Sequence, residues 1–114
     1  MSFKWSLFMA DLNPVMGSEQ QRRRPVLVIS DETTNSVMPV VTILPVTSLK
    51  KGRRVYPNEA LLKNGTAGLE VDSIVMAHQI RTISKQRLIN SMGDVSNETL
   101  RLQIMDALRV HLNL

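Results

Sequence analysis

The sequence predicts a mainly β (α+β) protein: a small, mostly antiparallel barrel with short helices and one amphipathic helix at its C-terminal end. Three observations carry this. Short β-prone runs are separated by polar stretches marked with Gly, Pro and Asn. Residues 26–29, Val-Leu-Val-Ile, form a run apolar enough to be buried on both faces of a sheet. Leu100, Ile104, Leu108 and Leu112 recur at a spacing of four, with Leu102 and Met105 beside them, which is a helical stripe. The length of 114 residues fits one domain, residues 1–114.

Taken in order, residues 4–12 read as a first strand ending at the turn signal Asn13-Pro14. Residues 17–24 are wholly polar and read as a loop. Pro25 opens the buried run, and Asp31 is placed to cap a single helical turn within residues 30–36. Residues 38–46 form a strand containing Pro39 and Pro45, so part of it must lie at an edge or a bulge. Residues 50–54 make a basic loop tip and residues 55–62 a strand, followed by turns at Asn64-Gly65 and Gly68. Strands are expected over 70–77, 80–83 and 91–95, with Ser84 capping a short turn through Arg87. Ser96 is the candidate N-cap of the terminal helix.

Composition excludes several functions. There is no cysteine, so disulfide frameworks, zinc ribbons and thiol nucleophiles are absent. No apolar stretch approaches the roughly 20 residues that cross a membrane. The first apolar run is too short for a secretory signal. The expectation is a soluble cytoplasmic protein. His78 and His111 stand without a ligand constellation, no phosphate-cradling glycine loop occurs, and no nucleophile elbow surrounds a serine. Neither metal nor cofactor is expected.

Fourteen Lys and Arg against ten Asp and Glu give a net charge of +4. Most of the basic residues fall in three clusters: Arg22, Arg23 and Arg24; then Lys50, Lys51, Arg53 and Arg54; then Arg81, Lys85 and Arg87. Converging on one face, they would bind a polyanion; left apart, they are solvated loops. Within them, Arg24 stands where a polar loop enters a buried strand, and Thr47-Ser48 place two hydroxyls between an apolar strand and a basic cluster. His78 follows the apolar run 74–77. Each of these has an ordinary structural reading as well: a loop end, turn chemistry, a satisfied histidine.

Together the segments resemble the MazF/PemK family of toxin endoribonucleases. The resemblance rests on Ala10-Asp11-Leu12-Asn13-Pro14-Val15, Gly17-Ser18-Glu19-Gln20, Arg24-Pro25 with the apolar run after it, Pro45-Val46-Thr47-Ser48, and Gln79-Ile80-Arg81-Thr82-Ile83. They stand in the family's order and spacing, and span nearly the whole chain. The resemblance implies an SH3-like barrel, a homodimer, and metal-independent, sequence-selective cleavage of single-stranded RNA, chiefly mRNA. It also implies a cognate antitoxin protein as partner. Carried over residue by residue, the catalytic positions fall on Arg24 and Thr47, with His78 or Glu19 as candidates for proton transfer. RNA-contacting positions fall on Ser18, Glu19 and Gln20 and on His78, Gln79 and Arg81, with Ser48 expected to bind RNA as well. Two positions depart from the family: Lys4-Trp5-Ser6 replaces an Arg-Gly-Asp-like opening, and His78 stands where an acidic residue is common. Two other readings compete. One is a non-enzymatic, CcdB-like gyrase poison, which lacks its C-terminal Trp-Gly-Ile here because the only tryptophan is Trp5. The other is a catalytically silent SH3-like RNA-binding module.

Overall fold

A computed structural model of the chain describes residues 2–12 and 23–114. It contains seven strands: β1 Ser6–Asp11, β2 Arg23–Val28, β3 Val40–Ser48, β4 Glu59–Leu62, β5 Ser73–Met76, β6 Arg81–Ser84 and β7 Leu88–Asp94. Two α-helices join them, α1 Glu32–Val37 and α2 Glu98–Leu112, with 3-10 turns at Thr66–Gly68, Ala77–Gln79 and Lys85–Arg87. Neighbouring strands run β4-β5-β3-β2-β1-β7, all antiparallel, and β6 pairs with β3. The expected barrel is therefore an open one: among the described residues β4 and β7 do not pair with each other. Instead α2 packs on β4, and the Thr66–Gly68 turn packs on β7.

β3 is the spine. One edge pairs with β2; the other pairs with β5 through Val46, Thr47 and Ser48 and with β6 through Val40 to Ile43. Leu44 and Pro45 fall between the two partners, opposite the Ala77–Gln79 turn. A proline has no N–H to give a ladder, so the strand carries Pro45 at the break, buried and facing Val26 of β2. Of the two prolines expected inside this strand, Pro39 precedes β3, and Pro45 sits where the facing segment leaves the ladder through the Ala77–Gln79 turn.

The strand at 26–29 is buried on both sides. Leu27 joins Leu7, Leu44, Leu62, Ile104 and Leu108 under α2, whereas Val26 and Val28 point into a second cluster with Phe8, Val41, Ile43 and Ile83. Residue-by-residue alternation along β1 and β2 feeds both clusters. The terminal helix buries Ile104, Ala107 and Leu108, while Leu112 is half exposed. Its N-cap is Asn97, whose side chain accepts from the Leu100 N–H at 2.9 Å, one residue later than Ser96. Asp31 caps α1 as expected, accepting from the Thr34 N–H. No described helix is long and apolar enough to cross a membrane.

Gly68 fixes the wall between β5 and β7. At φ +84°, a Cβ there would stand 2.3 Å from the Met92 carbonyl oxygen, so only glycine lets the turn lie on β7. This contact shapes the cavity described next.

Candidate active site and nucleic-acid interface

The register of β2 against β3 pairs Val26 with Pro45 and Leu27 with Leu44. Carried two residues further, it sets Arg24 level with Thr47. Arg24 is held by the ladder opposite Ala10 of β1, while its side chain remains half exposed. Thr47 and Ser48 end β3 in register with Ile74 and Ser73. All of these strand ends meet at one cavity of about 410 Å³, lined by Arg23, Arg24, Thr47 and Ser48 together with Glu70, Val71 and Met92. Among the described residues, two positively charged forks, three hydroxyls (Thr47, Ser48 and Ser73) and one carboxylate thus surround a space open to solvent. Such a set suits a phosphodiester, since a guanidinium pairs two phosphate oxygens at once and a hydroxyl adds a third bond.

Ser18, Glu19 and Gln20 lie outside the described residues. Gln79 and Arg81 are exposed and do not line the cavity. Arg81 pairs with Ile43, four residues along β3 from Thr47, about 13 Å of strand. Arg81 thus lies on the β3 edge that also pairs with β5, whose Ser73 borders the cavity.

His78 is placed elsewhere. Its Nε2 is 2.8 Å from Oε2 of Glu59, whose side chain is only 1% exposed. Arg53 donates to both oxygens of the same carboxylate, at 3.0 and 2.8 Å, and the Tyr56 N–H donates at 3.0 Å. Hydrogen bonds from Arg53 hold the Glu59 carboxyl down to about 2, against burial, which pushes it up; His78 and the Tyr56 N–H add to the lowering. The carboxylate holds the Arg53 guanidinium above its usual range in return. An ionised Glu59 only accepts, so the His78 nitrogen facing it carries the hydrogen. The His78 ring also meets His111 of α2 edge-on, with centroids 6.3 Å apart.

This network explains one departure from the family pattern. An acidic side chain at position 78 would set a like charge against buried Glu59; histidine supplies a donor instead. Glu59 escaped the sequence reading because it lies nineteen residues from His78, and only the fold brings the two together. Glu70 was missed for a different reason: it reads as the polar start of the strand expected at 70–77. Nothing local distinguishes a carboxylate facing a cavity from one facing bulk water. Among the described residues, no three His, Asp or Glu side chains are grouped to hold a metal ion.

Comparison with known proteins fits this arrangement to a class. Residues 4–112 match the family described as PemK-like, MazF-like toxin of type II toxin-antitoxin system. The chain is 38% identical over 119 residues to Endoribonuclease MazF9 of Mycobacterium tuberculosis, an alignment covering all of this chain and 98% of that one. A MazF crystal structure from Deinococcus radiodurans superposes with a TM-score of 0.76 at 27% identity, covering 97% of this chain and 96% of that one. An endoribonuclease of mycobacterial origin, in complex with its cognate antitoxin, shares the fold with a TM-score of 0.80 at 21% identity, over 100% and 97% of the two chains. The fold is that of a toxin of a type II toxin–antitoxin system. The chain belongs to the PemK/MazF-like toxin family.

Proposed function

We propose that this protein is an endoribonuclease toxin that cleaves single-stranded mRNA and is neutralised by a cognate antitoxin. The observation that carries the reading is the meeting of Arg24 with Thr47 and Ser48 at one solvent-open cavity. RNA holds its own nucleophile in the 2′-hydroxyl. That oxygen attacks the adjacent phosphorus, the P–O5′ bond breaks, and the products are a 2′,3′-cyclic phosphate and a 5′-hydroxyl. Arg24 stabilises the charge that grows on the non-bridging oxygens, from a position its strand fixes in advance. Thr47 donates to the same phosphate and holds it in line; Ser48 adds a second hydroxyl beside it. Ser18, Glu19 and Gln20 of the preceding loop, with Gln79 and Arg81 along the β3 edge, contact the flanking nucleotides.

In this reading His78 belongs to the frame around Glu59, because its ring nitrogen is already engaged there and it does not line the cavity. Proton transfer is left to Glu19 among the two candidates. The working unit is the whole chain, residues 1–114, acting as a homodimer in the cytoplasm, where mRNA is found. No metal or cofactor enters any step, since the substrate supplies its nucleophile and Arg24 the countercharge.

The test is cleavage of a long single-stranded RNA by purified protein in EDTA, with both new ends mapped. Discrete cuts with cyclic-phosphate ends are expected. A strand with a single 2′-deoxy at the cut site should bind and stay intact. Cutting of that strand would mean that water or a protein group attacks, and would overturn the roles given to Arg24 and Thr47.

A further inference from the structure

Among the described residues, Glu70 is the one carboxylate lining the cavity, in the company of Arg23 and Arg24, and it forms no hydrogen bond or ion pair with any of them. Its backbone is held from both sides. Before it, Gly68 is seated on Met92, Leu69 is buried, and the Leu69 carbonyl accepts from Gly65 N–H at 2.8 Å. After it, the buried Ser73 hydroxyl donates to the Val71 carbonyl at 2.9 Å. An acidic side chain on so fixed a perch, in a site that must attract phosphates, has a definite chemical consequence. It repels phosphate oxygens, so the part of the ligand it faces must carry hydrogen-bond donors. In RNA, the donor-rich parts are the Watson–Crick edges of the bases, which unpaired strands leave open.

Resting on the RNA-cleaving reading, we infer that Glu70 is a specificity-determining residue, which reads the base beside the phosphate held by Arg24 and selects one bearing an amino group. A carboxylate offers acceptors only. Guanine matches it best, presenting N1–H and the 2-amino group side by side to the two oxygens; cytosine and adenine offer one amino group each. Uracil is the worst match, because its single N3–H is flanked by two carbonyl oxygens that the carboxylate repels. The preference belongs to one nucleotide position next to the cut, and Glu70 takes no part in moving protons.

The experiment uses the full-length protein and a single-stranded RNA library randomised across the cleavage region, with cut ends sequenced for wild type and for Glu70→Gln. The amide keeps the shape but replaces one acceptor by a donor. Wild type is expected to disfavour uracil at one position adjacent to the cut by about 10-fold or more, the usual weight of a paired base contact. Glu70→Gln should flatten or redirect the preference at that position alone, leaving the preferences at the other positions as in wild type. Unchanged preferences in the variant would overturn the inference. So would a uniform loss of cleavage on every sequence in a variant that melts like wild type, which would make Glu70 part of the chemistry. Wild-type protein that leaves the whole library intact would overturn the endoribonuclease reading itself, a result distinct from either.

Discussion

The two ends of the β5 segment hold charged groups of similar chemistry put to opposite uses. At Ser73 the chain borders a cavity where Arg23, Arg24 and Glu70 face open space without ion-pair partners among the described residues. Five residues on, at His78, Glu59 is buried, bonded to Arg53, His78 and the Tyr56 N–H, and has no oxygen left over for a ligand. Charges satisfied inside the fold stabilise the fold, and charges left unsatisfied at a fixed position are available to a substrate. A strained or unpaired group in an otherwise consistent structure is where function is expected. The Glu59 network also has a positional effect. It ties the basic loop after β3 back to the Ala77–Gln79 turn, and Tyr56 in that loop lies under the Arg53 and Arg54 guanidinium groups, at 5.9 and 5.4 Å.

If that contrast is right, removing charge from the cavity should abolish activity without unfolding the protein. Arg24→Ala should lower the cleavage rate by about two to three orders of magnitude, the ~3–4 kcal/mol of an electrostatic stabiliser of the transition state. Its melting temperature should stay near wild type, because the residue is only partly buried and bears no ion pair among the described residues. Arg24→Lys should also be poor, since an ammonium does not reproduce the fork. A folded Arg24→Ala protein that cuts at the wild-type rate breaks the comparison at its strongest point.

The glycine that borders the cavity offers the next test. Gly68→Ala places a methyl 2.3 Å from the Met92 carbonyl oxygen on a backbone at φ +84°. Steric overlap and left-handed backbone together should cost about 3 kcal/mol of stability. Activity should fall as well, because Leu69, Glu70 and Val71 follow this glycine into the cavity lining. Denaturant unfolding read alongside cleavage separates the two losses.

Glu59 sharpens the other half of the comparison. Glu59→Gln keeps the volume but leaves the Arg53 guanidinium facing a neutral amide, and should destabilise by about 2–3 kcal/mol. The same residue sets an acid limit. A carboxyl near 4.5 when unfolded and about 2 when folded stabilises the protein fully above its unfolded value. That stabilisation is lost as pH falls from about 4.5 toward 2. Wild-type stability, followed by denaturant titration, should therefore drop through that window, whereas Glu59→Gln should be flatter there. Equal acid sensitivity in both proteins would remove Glu59 as the buried anchor.

Much of this contrast was legible in the residues, and the limits follow the range of the interactions. The run 26–29 declares a doubly buried strand because every position is apolar, and β2 indeed feeds Leu27 to one cluster and Val26 and Val28 to the other. Pro45 announced an interruption that the structure places opposite the Ala77–Gln79 turn. Asn97 rather than Ser96 caps α2, a choice between two adjacent good cap residues that only the path of the preceding chain decides. Arg24 and Thr47 were identifiable because both end strands beside recognisable motifs. The Glu59–His78 pair was not, since a hydrogen bond between residues far apart in sequence leaves no local pattern. The open side of the barrel was equally hidden: short strands with polar turns read alike whether or not the last pair closes.

The smallest effect is expected where sequence and structure point in different directions. His78 stands among the candidates for proton transfer by family position, yet its ring nitrogen bonds to Glu59 and it does not line the cavity. In His78→Gln the amide nitrogen retains a donor toward the same carboxylate. The variant should lose no more than about 1 kcal/mol of stability, the scale of one partly preserved hydrogen bond. Its cleavage rate should stay within a few-fold of wild type, and its pH–rate profile should keep its shape, because a glutamine cannot titrate and none is needed there. His78→Leu is the harsher companion: with no donor, Glu59 keeps Arg53 and the Tyr56 N–H but leaves one bond unmade, so stability should fall further while catalysis follows only the folded fraction. A His78→Gln protein that folds normally but cuts about a hundredfold more slowly, or loses one limb of its pH profile, would carry the histidine across to the catalytic side of the comparison. The Glu59 network would then serve to position a proton-transfer group, and the separation drawn between the two ends of β5 would no longer hold.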